Sequence, residues 1–167
     1  MTTIFTIGYE GATLSDFIAT LKAAGIDRVI DVRELPQSRR AGFSKKSLSA
    51  ALESAQIGYE HHKQLGDPKA GRDAARAGRY DEFRRIFTAH METTPARDAL
   101  NALAPTLKEY RCVLLCYERD HRICHRNLLC NGLQKLGFTQ IRHLGVQPEA
   151  RSGRIGEHGT DQHARAC

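Results

Sequence analysis

The sequence predicts an α/β domain: a three-layer, Rossmann-like fold around a mostly parallel sheet of about five strands. Two observations carry that prediction. Short apolar runs of strand type alternate with segments of helical periodicity, as repeated strand–helix units require. Each of four unusual polar segments, "GYEG", "DVRELPQSRR", "HHKQLG" and "CYERDHRICHR", also comes directly after a strand-type run. In a parallel sheet with right-handed crossovers such segments converge on the carboxyl edge, where ligands bind.

The elements follow in chain order. Residues Ile4–Ile7 are a short apolar run that ends at "GYEG". From Thr13 the pattern becomes helical, with Leu14, Phe17, Ile18 and Leu21 on one face and Gly25 where a terminating glycine belongs. "RVIDV" (28–32) reads as a strand buried on both faces. A basic loop follows, and Ser44 is placed to cap a helix with Leu48, Ala51, Leu52 and Ala55 on one face. "IGYEHH" (57–62) is a third strand. "KQLGDPKAGRDAARAGR" is Gly-rich and polar, and reads as loop with at most one helical turn.

Tyr80, Phe83, Phe87 and Met91 share a helical face, as do Leu100, Leu103 and Leu107, although Pro105 is expected to kink or shorten that second helix. "CVLLC" (112–116) is the strongest strand signal. A helix near 124–136 turns Leu129, Leu133 and Leu136 inward and closes at Gly137, and "TQIRHL" (139–144) is the last strand. Residues 1–145 form a single domain on this reading, and 146–167 a polar C-terminal tail expected to be flexible.

Composition bounds the function. There is no apolar run long enough to cross a membrane and no secretory signal, and five cysteines form no dense framework. A cytoplasmic protein with free thiols is therefore expected. The net charge is +6, and arginine supplies 18 of 25 basic residues. Arginine's planar fork suits phosphate or carboxylate, although an Arg-rich codon bias gives the same count.

Three motifs hold the candidate chemistry. From Arg33 to Lys46 the chain carries Arg33, Arg39, Arg40, Lys45 and Lys46 against one acid, Glu34. A loop so basic, leading into a helix start, suits a bound anion; a solvated loop with Asp31 pairing Arg33 is the plain alternative. "GYEG" brackets Tyr9 between glycines that permit close backbone approach, without the third glycine of a dinucleotide fingerprint.

The third motif, Cys116 to Arg126, admits four readings. A metal site would use Cys116, Cys124 and His125, with His121 as a further candidate, but the x7 spacing is wider than usual zinc pairs, and no metal ligand is assigned. A phosphatase-like C-x5-R loop runs from Cys116 to Arg122, yet it holds Glu118 and Asp120 and no glycine. Cys124 beside a helix start and three basic neighbours has the setting of an activated thiol. A structural and ligand-orienting cluster is the fourth reading, with Glu118 pairing an arginine.

The segments "TIGYEG", "DVRELPQSRRAGFSK", "YEHHKQLGDPKAGR" and "LLCYERD" followed by "CHR" resemble, in this order and spacing, the domain of unknown function 488 family. The resemblance covers nearly all of residues 3–144, departing where His121 stands in place of a frequent proline. It implies a cytosolic, mostly bacterial and archaeal α/β domain, and brings no established reaction. It adds emphasis to Gly8, Asp31, Arg33, Pro36, Ser38, Cys116, Glu118, Cys124, His125 and Arg126.

The functional expectation is an enzyme-like domain with a basic pocket at the strand ends, taking a phosphate-bearing ligand such as a nucleotide or nucleic acid. Gly8, Tyr9, Arg33, Ser38, Arg39 and Arg126 are the expected ligand contacts. Glu118 and His125 would do acid–base work, or Cys124 would act as nucleophile. The rivals are a non-enzymatic nucleic-acid-binding or sensor module, and a thiol or metal redox sensor using Cys116 and Cys124. No cofactor and no membrane partner is assigned.

Overall fold

The computed structural model describes residues 2–148. Its strands are β1 (Thr3–Gly8), β2 (Arg28–Asp31), β3 (Gly58–His61), β4 (Cys112–Cys116) and β5 (Gln140–Leu144). The helices are α1 (Leu14–Ala23), α2 (Lys45–Ser54), α3 (Lys69–Arg76), α4 (Tyr80–Met91), α5 (Thr94–Glu109) and α6 (His125–Lys135). The five strands lie in the order β3-β2-β4-β1-β5, and every pairing is parallel. Among the described residues no helix is long and apolar enough to cross a membrane.

Alternation along the strands explains the layers. In β1, Phe5 and Ile7 face one side with Val29, Val113 and Leu115, where α1 and α2 supply Phe17, Leu21, Leu48 and Leu52. Ile4, Ile30, Leu114 and Cys116 face the other side, against Ala74, Phe83, Phe87, Leu103, Leu129 and Leu133 from α3 to α6. Both faces are covered, which is why the central runs are apolar without interruption. The edge strands differ: β3 is half-buried at all four positions and β5 is partly exposed.

Local signals account for the ends of several elements. The Thr13 side chain accepts from the Asp16 amide at 3.1 Å and starts α1. Gly25 follows its end at φ 66°, a left-handed conformation that glycine adopts without strain. Ser44 is the N-cap of α2, but its hydroxyl makes no capping bond; it is engaged across the loop with the Ser38 amide at 3.0 Å.

The sequence reading needs correction in four places. The polar stretch after β3 contains a short 3-10 turn at Lys63–Leu65 and an eight-residue helix, α3. Its buried positions are Gly71 and Ala74, so it shows no apolar stripe, and a 2.7 Å Lys69–Asp73 pair one turn apart supports it. Helix α5 runs through Pro105, held by buried Leu103 and Leu107. Leu136 caps α6 and is exposed, while Cys130 takes the inward place beside Leu129 and Leu133. Val146, assigned to the tail, is buried against the α1 layer. The rest of the proposed tail, 149–167, lies outside the described residues.

Candidate functional site

Topology singles out the carboxyl end of β4. Its neighbours β1 and β2 hand the chain to α1 and α2 on one face, whereas β4 hands it to α6 on the other. Connections that leave in opposite directions open a crevice at the strand ends. Here the loop after β4 folds down over that crevice. The Tyr9 amide donates to the Cys116 carbonyl at 3.3 Å and the Glu10 amide to the Tyr117 carbonyl at 2.9 Å. The Arg119 amide donates back to Glu10 Oε2 at 3.0 Å.

The same loop brings the two motif cysteines together. A 3-10 turn at His121–Ile123, capped by the Asp120 side chain on the Arg122 amide, reverses the chain so that Cys124 returns to the end of β4. The seven-residue separation, too wide for a usual zinc pair, therefore does not hold the sulfurs apart. The Sγ atoms of Cys116 and Cys124 are in direct, disulfide-bonding contact across a Cα–Cα distance of 7.7 Å. Relaxed disulfides span roughly 4.4–6.8 Å between Cα atoms, so the two stretches of backbone stand wider apart here than in a settled cross-link. Both residues are buried.

His125 completes the cluster. Its Nε2–H donates to the Val32 carbonyl at 2.7 Å, because a carbonyl only accepts. That bond fixes the tautomer and leaves Nδ1 with a lone pair, 3.8 Å from Cys124 Sγ. Burial holds the imidazole neutral, its pKa pushed down to about 4. The three atoms Cys116 Sγ, Cys124 Sγ and His125 Nδ1 all lie within 4.8 Å of one another.

Arg126 lies beneath this cluster and is wholly buried. Its Nη1 donates to Cys116 Sγ at 3.0 Å and to the Glu118 carbonyl at 2.5 Å, its Nη2 to the Arg119 carbonyl at 3.2 Å, and its Nε to Thr6 Oγ1 at 3.2 Å. It both locks the loop and sets a positive charge against sulfur. Glu118 Oε2 stands 3.2 Å from the same sulfur, and burial raises its carboxyl above the ordinary value. Cys124 is the N-cap of α6, where the helix dipole also favours a thiolate.

Arg33 reaches the same edge but belongs to the opposite face. Its Nε and Nη2 grip the buried Asp31 carboxylate in bidentate fashion at 2.9 and 2.7 Å, and Nη1 donates to Tyr9 Oη and the Phe43 carbonyl at 3.2 and 2.7 Å. Tyr9 in turn stacks on Phe43, with ring centroids 4.4 Å apart. Of the three arginines expected on phosphate, Arg33 and Arg126 thus donate to protein acceptors, and Arg39 is exposed. Ser38 accepts from the Arg40 amide at 3.0 Å within the loop. Gly8 packs so closely beneath Glu118 that a Cβ would sit 1.8 Å from its carbonyl oxygen.

Sequence reasoning missed four contributors. Thr6 is a polar residue inside an apolar strand, a signal that was available; it bonds Arg126 and, at 2.7 Å, His143 Nδ1. Tyr59 donates to Asp31 Oδ2 at 2.5 Å, and the Val32 carbonyl orients His125. The fourth is Asp67, buried, with Oδ1 lacking a hydrogen-bond partner among the described residues.

Burial, then the negative charge of Glu118, raises the Asp67 pKa from 3.8 to about 7, with Arg72 opposing and Glu34 adding. A carboxyl that holds its proton longer when folded makes stability fall as pH rises between those two values. We expect the unfolding free energy from urea titrations to drop between pH 5 and pH 8 by an amount on the order of 2 kcal/mol, and Asp67→Asn to flatten that drop. Parallel pH profiles for the two proteins would refute the assignment.

Among known proteins, a family model described as "Domain of unknown function DUF488" matches residues 13–133. No curated protein and no solved structure matches the chain.

Proposed function

Since the chain belongs to the family described as Domain of unknown function DUF488, we propose that it works as a thiol-based redox sensor centred on Cys116 and Cys124. The observation that carries this reading is the meeting of the two sulfurs at the end of β4. Arg126 Nη1 donates to one of them, and the other lies at the start of α6. Both settings favour the thiolate, the form that reacts. The expected phosphate grip has less support, because Arg33 and Arg126 are committed internally.

In the step itself each thiol loses one proton and the pair together loses two electrons to hydrogen peroxide, leaving a Cys116–Cys124 disulfide and two waters. Because the sulfurs already meet, the new bond joins the end of β4 to the start of α6 and ties the loop 117–124 at both ends. Oxidation state thereby decides whether that loop is cross-linked, as a sensor requires. Cys112 and Cys130 are internal controls, since burial pushes both thiols up to about 12.

The test is peroxide treatment of the reduced, folded protein at neutral pH, read by intact mass and peptide mapping. The expected result is a loss of two hydrogens mapped to Cys116 and Cys124, with Cys112 and Cys130 still reduced. Retention of both motif thiols under conditions that oxidise the unfolded chain would remove the proposal.

A further inference from the structure

We propose that, in the reduced protein, Cys116, Cys124 and His125 bind one soft or borderline divalent cation of the zinc class. The inference rests on the same cysteine pair as the redox reading but asks for a different property of it. The geometry is the first argument. The sulfurs and the His125 Nδ1 gather within 4.8 Å at a point enclosed by protein. With Zn–S near 2.3 Å and Zn–N near 2.0–2.1 Å, the sulfur–nitrogen edge of a tetrahedral site is about 3.6 Å. The Cys124 Sγ to His125 Nδ1 distance is 3.8 Å. Two reduced sulfurs are non-bonded neighbours, and a tetrahedral site asks them for an edge of about 3.8 Å, an ordinary sulfur–sulfur contact.

The second argument is the outer partner of His125. A ligating imidazole ordinarily donates its far N–H to a carbonyl or carboxylate, which fixes the tautomer and aims the lone pair. His125 does this through Nε2 to the Val32 carbonyl at 2.7 Å. The two groups are independent in the chain: the carbonyl comes from the end of β2, the imidazole from α6.

The donor set names the ion class. Two thiolates and one imidazole favour zinc over magnesium or calcium, which take oxygen ligands. Two thiolates also cancel the charge of a divalent ion, so a buried site carries no net charge of its own. Glu118 Oε2, 3.2 Å from Cys116 Sγ, is an oxygen donor beside the site that can take a fourth position, with the Arg126 guanidinium offsetting its charge.

The experiment uses the full chain, stripped with chelator and kept reduced, titrated with Co2+ and then Zn2+. The expected result is one equivalent per chain, with the visible bands of tetrahedral cobalt and a sulfur-to-cobalt charge-transfer band that zinc abolishes. Cys124→Ser and His125→Gln should each weaken binding at least tenfold, and Cys130→Ala should not change it. Circular dichroism of each apo variant separates lost ligation from lost folding, and a folded Cys116→Ser/Cys124→Ser variant that still binds cobalt overturns the assignment. A wild-type protein that takes no cobalt but forms the Cys116–Cys124 disulfide sinks the cation site and leaves the redox reading standing. Cobalt binding with peroxide-resistant thiols does the reverse.

Discussion

Asp31→Ala is expected to destabilise the protein by about 3–5 kcal/mol, the usual cost of stranding one partner of a buried ion pair. Asp31 is fully buried, and its carboxylate accepts from the Arg33 amide, Nε and Nη2 and from the Tyr59 hydroxyl. Burial pulls the Arg33 pKa down, but Asp31 outweighs it and raises the value, so the charge stays on when the protein folds. Without the carboxylate that charge has neither water nor a counter-ion at hand. Urea unfolding reads the loss directly, and the melting temperature should fall by roughly 10 °C or more. A double variant, Asp31→Ala with Arg33→Met, should recover part of it, because no lone charge remains. A single-variant loss under about 1 kcal/mol would show that the pair is not what holds this edge.

Gly8→Ala is the second large effect. The added methyl would lie 1.8 Å from the Glu118 carbonyl oxygen, 2.5 Å from its carbon and 3.0 Å from the Arg119 nitrogen, all main-chain atoms. Main chain cannot swing aside as a long side chain does, so the loop over β4 must lift. That breaks its bonds to Arg126 and Glu10. We expect a loss of about 3 kcal/mol or more by urea unfolding, at the upper end of overpacking costs. Gly58→Ala is the contrast: its methyl meets the flexible Arg28 side chain, with Cγ at 2.9 Å, and should cost far less. Equal losses for the two variants would contradict the close approach of loop and strand.

The parallel sheet was legible because its central strands are buried on both faces and read as unbroken apolar runs, "TIFTIG" and "CVLLC" above all. Helix α3 was not legible, since its inward residues are a glycine and an alanine. The convergence of the polar segments on one edge was foreseen, and the motif residues are found there. What the sequence could not convey is which face each side chain takes. Arg33 and Arg126 read as candidate phosphate ligands because charge is visible in a sequence, whereas the Phe43, Glu118 and Arg119 carbonyls that accept from them are main-chain groups without a residue signature. For the same reason the partner of His125, a backbone oxygen of Val32, leaves no trace in the residue pattern.

The stretch from Asp31 to Arg33 is fastened from every side. The Val32 amide donates to Leu115 at 3.1 Å, its carbonyl receives His125, the Arg33 amide donates to Asp31, and the Arg33 carbonyl lies 2.7 Å from His61 Nε2. One face of that short ribbon carries the arginine clamp, and the other steadies the imidazole. It acts as a bulkhead shared by two compartments. A few atoms of main chain thus join the imidazole of the sulfur cluster to the Tyr9–Phe43 stack on the far side, with no solvent between them.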